Sequence, residues 1–230
     1  MATRIVSPEV ARAPVPETRD LAKLRAAAAG CRACPLWRTG TQTVFGEGPA
    51  RARVLLVGEQ PGDQEDRAGH PFVGPAGGLL DRALEEAGID RGTLFVTNAV
   101  KHFKWVARGK RRLHEKPATL ELAACRPWLE SEVRAVRPEL IVCLGATAAR
   151  SVVGRVVRVL TERGQRLPTE FGVEALITVH PSALLRLRDR TEADAAFAAL
   201  VRDLELIRDQ PRRKAKKAPS KKTGLEGSAG

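Results

Sequence analysis

Three short polar segments carry side chains whose types and spacing could support chemistry. Glu59 and Gln60 lie in the run GEQPG, Asn98 follows an apolar run, and His180 opens the run His-Pro-Ser. Carboxylate, carboxamide and imidazole groups are the ones proteins use to transfer protons, to stabilise charge and to recognise polar substrates by hydrogen bonding. These residues are therefore the first candidates for an active site.

Four cysteines form a second set of candidates. Cys31 and Cys34 make a C-x2-C pair, whereas Cys125 and Cys143 lie far along the chain, separated by 17 residues. A C-x2-C turn lets two thiolates face one centre, and four thiolates suit zinc and an iron–sulfur cluster equally. Cys125 and Cys143 could instead be small buried hydrophobes. The cysteines indicate a metal centre without choosing the metal.

Residues 101–116 form a basic segment with seven Lys or Arg side chains, interleaved with Phe103 and Trp105. A run of charged residues is often only a solvent-exposed surface without a specific partner. Its position directly after Asn98 favours contacts with phosphates. His114 lies within this segment, and a loop histidine by itself gives little indication of a role.

The rest of the sequence predicts the elements that would position these residues. Apolar runs rich in Val, Leu and Ile alternate with longer amphipathic stretches, which is typical of βαβ units around a parallel sheet. The predicted strands are residues 54–57, 94–96, 140–144 and 175–179, and the predicted helices are residues 20–29, 76–87, 119–136, 146–153 and 192–208. We therefore expect an α/β fold, a three-layer α/β/α sandwich with a central four-stranded parallel sheet.

The predicted strand ends bring the polar segments together. Doubly wound sheets bind ligands at the carboxyl ends of their strands. Glu59 and Gln60 follow the first strand, Asn98 follows the second, and His180 follows the fourth. Because the strands are predicted without reference to these residues, their convergence independently locates an active site.

Composition limits the domain organisation and the partners. The chain has 230 residues, 43% of them hydrophobic, which suits one domain at residues 19–208 with disordered ends at 1–18 and 209–230. The net charge is +12 and the pI near 10.3, which favours nucleic acid as partner. Residues 209–230 hold seven Lys or Arg against two acids, so the rest of the chain still carries +7.

Membrane and secretion signals are missing from the sequence. No apolar stretch reaches the roughly 18 to 20 residues of a membrane span, and the N-terminus has no basic segment followed by an apolar run. We expect a cytoplasmic protein, monomeric by default, in which disulfides are a poor explanation for the cysteines.

Several motifs resemble the iron–sulfur uracil-DNA glycosylases. They are GEQPG at residues 58–62, GHPFVGPAG at 69–77, VTNAVK at 96–101 and HPS at 180–182. The resemblance runs in order over about residues 20–208 and includes the four cysteines. Within that superfamily the chain looks most like the UdgX type, family X. Gln60 stands where family four usually has Ala, and GKRRLH at 109–114 is similar to the KRRIH loop, with Leu113 for Ile.

The resemblance implies a cofactor, a substrate and a covalent outcome. The four cysteines would hold a 4Fe-4S cluster. The substrate would be uracil-containing DNA, with single strands favoured. Excision of uracil would end with the protein bonded to the abasic sugar through His114, in a single turnover. The alternative is a family-four enzyme that uses water as nucleophile and turns over.

The resemblance also implies roles for individual residues. Phe72 would stack on the uracil, unless it is simply a core aromatic, and Asn98 would read the pairing edge. His180 would stabilise the negative charge on the departing base, and Glu59 would stabilise the sugar cation or orient the nucleophile. The predicted catalytic residues are therefore His114, Glu59, His180 and Gln60, and the predicted substrate-binding residues are Phe72, Asn98, Gly58 and Arg112.

Overall fold

The computed structural model describes residues 11–208, and a five-stranded sheet lies at their centre. Its strands are β1 (Val54–Gly58), β2 (Phe95–Asn98), β5 (Leu140–Leu144), β6 (Arg166–Leu167) and β7 (Glu174–Thr178). Their order is β2-β1-β5-β7-β6. Strands β2, β1, β5 and β7 are parallel, as the sequence predicts. The short strand β6 pairs antiparallel with β7 at the edge of the sheet, and the sequence does not predict it. Strands β3 (Trp105–Arg108) and β4 (Arg111–His114) pair separately as an antiparallel hairpin inside the basic segment.

The described residues form eight α-helices, and the five that the sequence predicts lie within three residues of their predicted bounds. They are α1 (Leu21–Ala29), α2 (Asp63–Ala68), α3 (Pro75–Glu86), α4 (Thr119–Val136), α5 (Ala146–Val153), α6 (Val159–Glu162), α7 (Pro181–Leu184) and α8 (Arg190–Glu205). Asp20 caps α1 by accepting the N–H groups of Ala22 and Lys23, so the helix begins one residue later than predicted. The unpredicted helices α2, α6 and α7 are too short to show a hydrophobic period.

The sheet is covered on both faces, which confirms the three-layer sandwich. Side chains alternate along each strand, so Leu56 contributes to a core with Leu80 of α3 and Leu200 of α8. Leu55 points the other way and contributes to a core with Leu129 of α4 and residues of α5. This arrangement leaves the carboxyl ends of the parallel strands open between the layers.

A third apolar cluster joins the N-terminal part of the chain to α4. Leu24 of α1 packs there with Phe45 and Trp128, both completely or nearly completely buried. Ala13 belongs to the same cluster, and its N–H donates to the carbonyl of Ala124 at 3.1 Å. Residues 11–18, for which the sequence predicts disorder, therefore contact the domain in part. Residues 1–10 and 209–230, the remainder of the predicted disordered ends, lie outside the described residues.

None of the helices in residues 11–208 combines the length and the apolar character needed to cross a bilayer.

Candidate active site

A cavity of about 670 Å³ opens at the carboxyl ends of the parallel strands, at the edge where the sequence places the active site. Six of the predicted residues line it: Glu59, Gln60, Phe72, Asn98, His114 and His180. Lys116, Thr147, Ser182 and Arg186, which the sequence does not single out, line it as well. The structure thus brings together residues from six separate parts of the chain, and the catalytic roles predicted for them stay predictions.

Asn98 occupies the floor of the cavity. Its side chain is almost fully buried, yet its carboxamide makes no hydrogen bond within residues 11–208. Gly58, on the neighbouring strand, allows this placement. A Cβ atom on Gly58 would lie 2.3 Å from Asn98 Oδ1 and 2.6 Å from Phe72 Cζ. Since buried polar groups normally have partners, the free carboxamide is available to a ligand.

Phe72 is held over the cavity in a strained backbone conformation. Its φ is +57°, in the left-handed region that bulky residues rarely adopt. The loop is fixed by Glu65, whose carboxylate accepts the N–H groups of Gly62 at 3.0 Å and Gly74 at 2.7 Å. The Phe72 ring stacks near His180, with 6.0 Å between the ring centroids. Phe72 is a member of the core cluster that includes Leu80, and it also lines the cavity, so its stacking role stays a prediction.

His180 is fixed as a neutral hydrogen-bond donor. Its Nδ1 accepts the N–H of Ser182 at 3.1 Å and lies 2.8 Å from the Ser182 hydroxyl. Because Nδ1 acts as acceptor, the proton of the neutral ring is on Nε2. Burial lowers the pKa of His180 to about 4, although the nearby Glu59 carboxylate works in the opposite direction. The imidazole is thus neutral near pH 7 and can donate through Nε2.

Glu59 lies between His114 and Thr147. One carboxylate oxygen is 3.2 Å from His114 Nε2, and the other accepts the hydroxyl of Thr147. Burial by itself would raise the pKa of Glu59, but the hydrogen bonds from His114 and Thr147 outweigh it and the pKa lies below the ordinary value. Glu59 is therefore ionised and aligned on the imidazole. The sequence gives no sign of Thr147, because its contribution depends on α5 starting beside β1.

Gln60 supports the hairpin that carries His114. Its amide nitrogen donates to the carbonyls of Lys104 and Glu115, and its amide oxygen accepts the N–H of Lys104 at 3.1 Å. Lys104 and Glu115 flank β3 and β4. One carboxamide therefore joins both ends of the hairpin to the loop that follows β1.

Arg112 does not line the cavity, and its predicted role in substrate binding is corrected. Its guanidinium donates to Asp63 and, at 2.7 Å, to Asp66, which is completely buried. It also lies over the rings of Phe103 and Trp105. With its donors engaged by two carboxylates, Arg112 fastens the hairpin to α2 and is not free for a phosphate.

Three of the four cysteines lie together. Cys31, Cys34 and Cys125 share the third apolar cluster, where the Trp128 indole N–H donates to Cys31 Sγ at 3.2 Å. Burial raises the pKa of Cys125 to about 12, and Cys34 and Cys31 contribute in the same direction. This mutual influence indicates that the three sulfur atoms are neighbours.

Cys143 lies apart from this group, which corrects its prediction as a fourth ligand. It belongs to the core between the sheet and α5, and burial alone raises its pKa, without a contribution from another cysteine. It is one of the small buried hydrophobes that the spacing left open as an alternative.

His102 is a buried residue that the sequence analysis does not single out. It is 5% exposed, and its ring makes no hydrogen bond within residues 11–208. Burial lowers its pKa to about 4. The preceding residue, Lys101, donates its backbone N–H to Cys125 Sγ at 3.2 Å, so His102 follows directly on a contact with the three-cysteine group. Because His102 lies within the basic segment 101–116, its place in the sequence does not indicate a role as a ligand.

The three thiols are donors of the type that an iron–sulfur cluster binds. No group of three or more His, Cys, Asp or Glu side chains in the described part of the chain is arranged tightly enough for a single metal ion.

Comparison with known proteins identifies relatives of the whole domain. Residues 45–205 match the family model described as the uracil DNA glycosylase superfamily. A type-4 uracil-DNA glycosylase of Thermotoga maritima is 40% identical over 159 residues, which cover 69% of this chain and 79% of the relative. A type-4 enzyme of Pyrobaculum aerophilum is 35% identical over 192 residues, or 77% of this chain and 92% of the relative. A type-5 uracil-DNA glycosylase of the same organism is 29% identical over 154 residues, or 60% and 64% of the two chains.

Proposed function

Because the chain belongs to the uracil-DNA glycosylase superfamily, we propose that it binds uracil in DNA and cleaves the bond between base and sugar. The observation that carries this proposal is the buried, unpartnered carboxamide of Asn98 beneath the Phe72 ring, with no hydrogen bond to any residue of the range 11–208. A carboxamide complements the adjacent carbonyl and N–H on the pairing edge of uracil. The base must be turned out of a duplex to reach this cavity, so a single strand is the easier substrate.

Departure of uracil places negative charge on the base and positive charge on the sugar. His180, neutral and donating through Nε2, stabilises the charge that grows on a carbonyl oxygen of the base. The ionised Glu59 carboxylate faces the sugar and stabilises its cationic character. Both interactions are stronger in the transition state than in the bound substrate, which is the condition for acceleration.

We further propose that His114 captures the sugar cation. Its Nε2 lies 3.2 Å from Glu59, so the carboxylate can take the Nε2 proton first, and the lone pair that this leaves on Nε2 then bonds to C1′. The glycosidic bond breaks with its electron pair on uracil, which is later protonated. A held imidazole can have an effective molarity of about 10⁵ M or more, far above that of water. Capture would leave the protein covalently attached to the abasic sugar.

Capture by water is the second candidate. The relatives at 35% and 40% identity are named type-4 uracil-DNA glycosylases, which favours this reading. In this case the ionised Glu59 would orient water, and the enzyme would turn over. Incubation with excess uracil-containing oligonucleotide separates the two. An adduct stable to boiling in detergent, with about one uracil released per protein, supports His114, whereas many equivalents of free uracil without an adduct support water.

Two basic side chains at the cavity suit a DNA backbone. Lys116 and Arg186 line it, and neither makes an ion pair with any residue in the range 11–208. They are better placed than Arg112 to contact the phosphates next to the extruded base. The +12 net charge adds a general attraction to DNA.

A 4Fe-4S cluster would be held by Cys31, Cys34 and Cys125, with His102 as the fourth ligand. Its part would be structural, since it would tie the segment around Cys31 and Cys34 to α4 and to the turn after β2. The residues that perform the proposed excision lie in the cavity and do not include any of these ligands.

A further inference from the structure

We propose that Lys101 is a positioning residue for uracil recognition, because its ammonium group fixes the backbone of Asn98. The side chain of Lys101 is 1% exposed. Its Nζ donates to the carbonyl oxygen of Asn98, to Thr97 Oγ1 and to Glu132 Oε2, each at 2.7 Å. All three protons of the ammonium group are used, and none faces the cavity. The inference rests on the proposed role of Asn98.

Glu132 pairs with Lys101 and completes a closed network of hydrogen bonds. Its side chain is fully buried, and Oε2 also accepts the hydroxyl of Thr97 at 2.9 Å. Its second oxygen accepts the N–H of Gly46 at 2.9 Å. Helix α4 is thereby connected to the end of β2 through one buried ion pair, held in place by hydrogen bonds to Thr97, Asn98 and Gly46.

The direction of the Asn98 side chain depends on its packing against Gly58 and on its backbone, because no hydrogen bond to another described residue holds it. Asn98 is the last residue of β2, and the chain turns away from the sheet immediately after it. Its carboxamide has no hydrogen-bond partner of its own within residues 11–208, so its direction depends on its backbone. Lys101 holds that backbone from within the turn, and its own N–H is anchored on Cys125.

A purely stabilising role is a weaker explanation of this network. The cost of desolvating two buried charges offsets much of their attraction, so a buried ion pair contributes little net stability compared with neutral groups of similar volume. The specific contribution of the two charges is therefore to hold the backbone of Asn98 in position. Stability and uracil recognition should separate when both charges are removed together.

The test compares the neutral double variant Lys101→Met/Glu132→Gln with Val133→Ala. The new glutamine keeps an acceptor for the N–H of Gly46, whereas the new methionine leaves the carbonyl of Asn98 without its donor. Val133→Ala opens a cavity one residue away in the same helix and does not touch the network. Binding is measured with an oligonucleotide that contains 2′-fluoro-2′-deoxyuridine, which resists cleavage, and with its 2′-fluoro-2′-deoxycytidine counterpart, whose pairing edge differs. Thermal unfolding is measured in parallel.

We expect the double variant to lose uracil discrimination by about 10-fold or more, because a displaced Asn98 carboxamide loses its hydrogen bonds to the base. Val133→Ala should lose stability and keep its discrimination. The inference is overturned if the double variant discriminates as well as the unchanged protein, or if Val133→Ala loses discrimination equally. Glu132→Asp, which draws Lys101 back by one methylene group, provides a milder variant if the double variant does not fold, and unchanged discrimination in it also overturns the inference. Failure of the unchanged protein to distinguish uracil would instead refute the proposed function.

Discussion

Thr147 shows how single hydrogen bonds define the chemistry of the cavity. Its hydroxyl engages one oxygen of Glu59 and leaves the other for His114 Nε2. His180 is defined in the same way, since Ser182 occupies Nδ1 and leaves the Nε2 proton for a ligand. Each of these contacts selects one atom of a functional group, which residue identity alone does not do.

The first prediction concerns Thr147. Thr147→Val removes a hydrogen bond to a carboxylate, which is worth about 1.5 to 3 kcal/mol, so the single-turnover rate of uracil release or capture should fall by roughly 10-fold to 100-fold. Because this bond lowers the pKa of Glu59, its loss should move the acid limb of the rate profile to higher pH. Thr147→Ser should keep both the rate and the profile. An unchanged profile in the valine variant would mean that Thr147 does not act through Glu59.

The second prediction concerns the charge state of His180. Its pKa in the folded protein is about 4, below the value of about 6.5 in an unfolded chain. The folded state binds this proton less readily, so stability is full above pH 6.5 and is lost as the pH falls towards 4. Between about pH 6.5 and about pH 5 the loss should reach at most about 2 kcal/mol. His180→Gln should remove this component, and denaturant unfolding at both pH values would measure it.

The position of the β3–β4 hairpin also depends on contacts made by single side chains. It stands apart from the central sheet, and β3 and β4 pair only with each other. Gln60 joins its two ends, and Arg112 fastens its strand β4 to Asp63 and Asp66 of α2. His114 is the last residue of β4, so its distance to Glu59 depends on these two attachments.

The third prediction concerns the base of this hairpin. Gln60→Ala should reduce formation of the covalent adduct by about 10-fold or more, because misplacing a reacting group costs much of its effective molarity. Uracil release should persist, since His180 and Asn98 keep their places. Val106→Ala, an exposed and uncharged position of β3, is the matched control and should leave both quantities unchanged. Equal loss of uracil release in Gln60→Ala would contradict a role confined to the hairpin.

The whole domain depends on joining α1 and the C-x2-C turn to α4. The third apolar cluster makes this connection, with Cys31, Cys125 and Trp128 at its centre. An iron–sulfur cluster bound there would stabilise the connection, while Cys143 lies within the separate core between the sheet and α5.

The fourth prediction concerns the cofactor. Protein purified without oxygen should be brown, with broad visible absorption and iron bound to it. Cys125→Ala should lose the colour and much of the thermal stability. Cys143→Ala should keep the colour and lose only the roughly 1 kcal/mol expected for a small core truncation. Loss of iron in Cys143→Ala, or colourless unmodified protein with zinc, would refute the assignment.

The fifth prediction concerns residues 209–230, whose seven basic residues lie outside the described part of the chain. Their deletion should weaken binding to all DNA sequences evenly and flatten its salt dependence, because fewer counterions are released. Uracil discrimination should remain. Titrations at several salt concentrations measure this, and a loss of discrimination would assign the segment to the site.

The sequence alone determines the layer architecture and the position of the cavity. Hydrophobic periodicity is a local property, so it predicts helices such as α4 and α5 to the residue and all four parallel strands. The carboxyl ends of parallel strands meet at one edge, so Glu59, Asn98 and His180 can be brought together before any coordinates are known. The motif resemblance adds the uracil-DNA glycosylase superfamily, which the family comparison confirms.

Only the tertiary structure decides which side chains meet. It separates Cys143 from the other cysteines, places the backbone of Lys101 against Cys125, and directs Arg112 towards Asp63 and Asp66. It also closes the network of Lys101 and Glu132, whose members are 31 residues apart. These contacts depend on the packing of helices against the sheet and on the direction of each side chain. Residue type and spacing along the chain do not indicate this packing or these directions, because distant residues meet only after the layers have assembled.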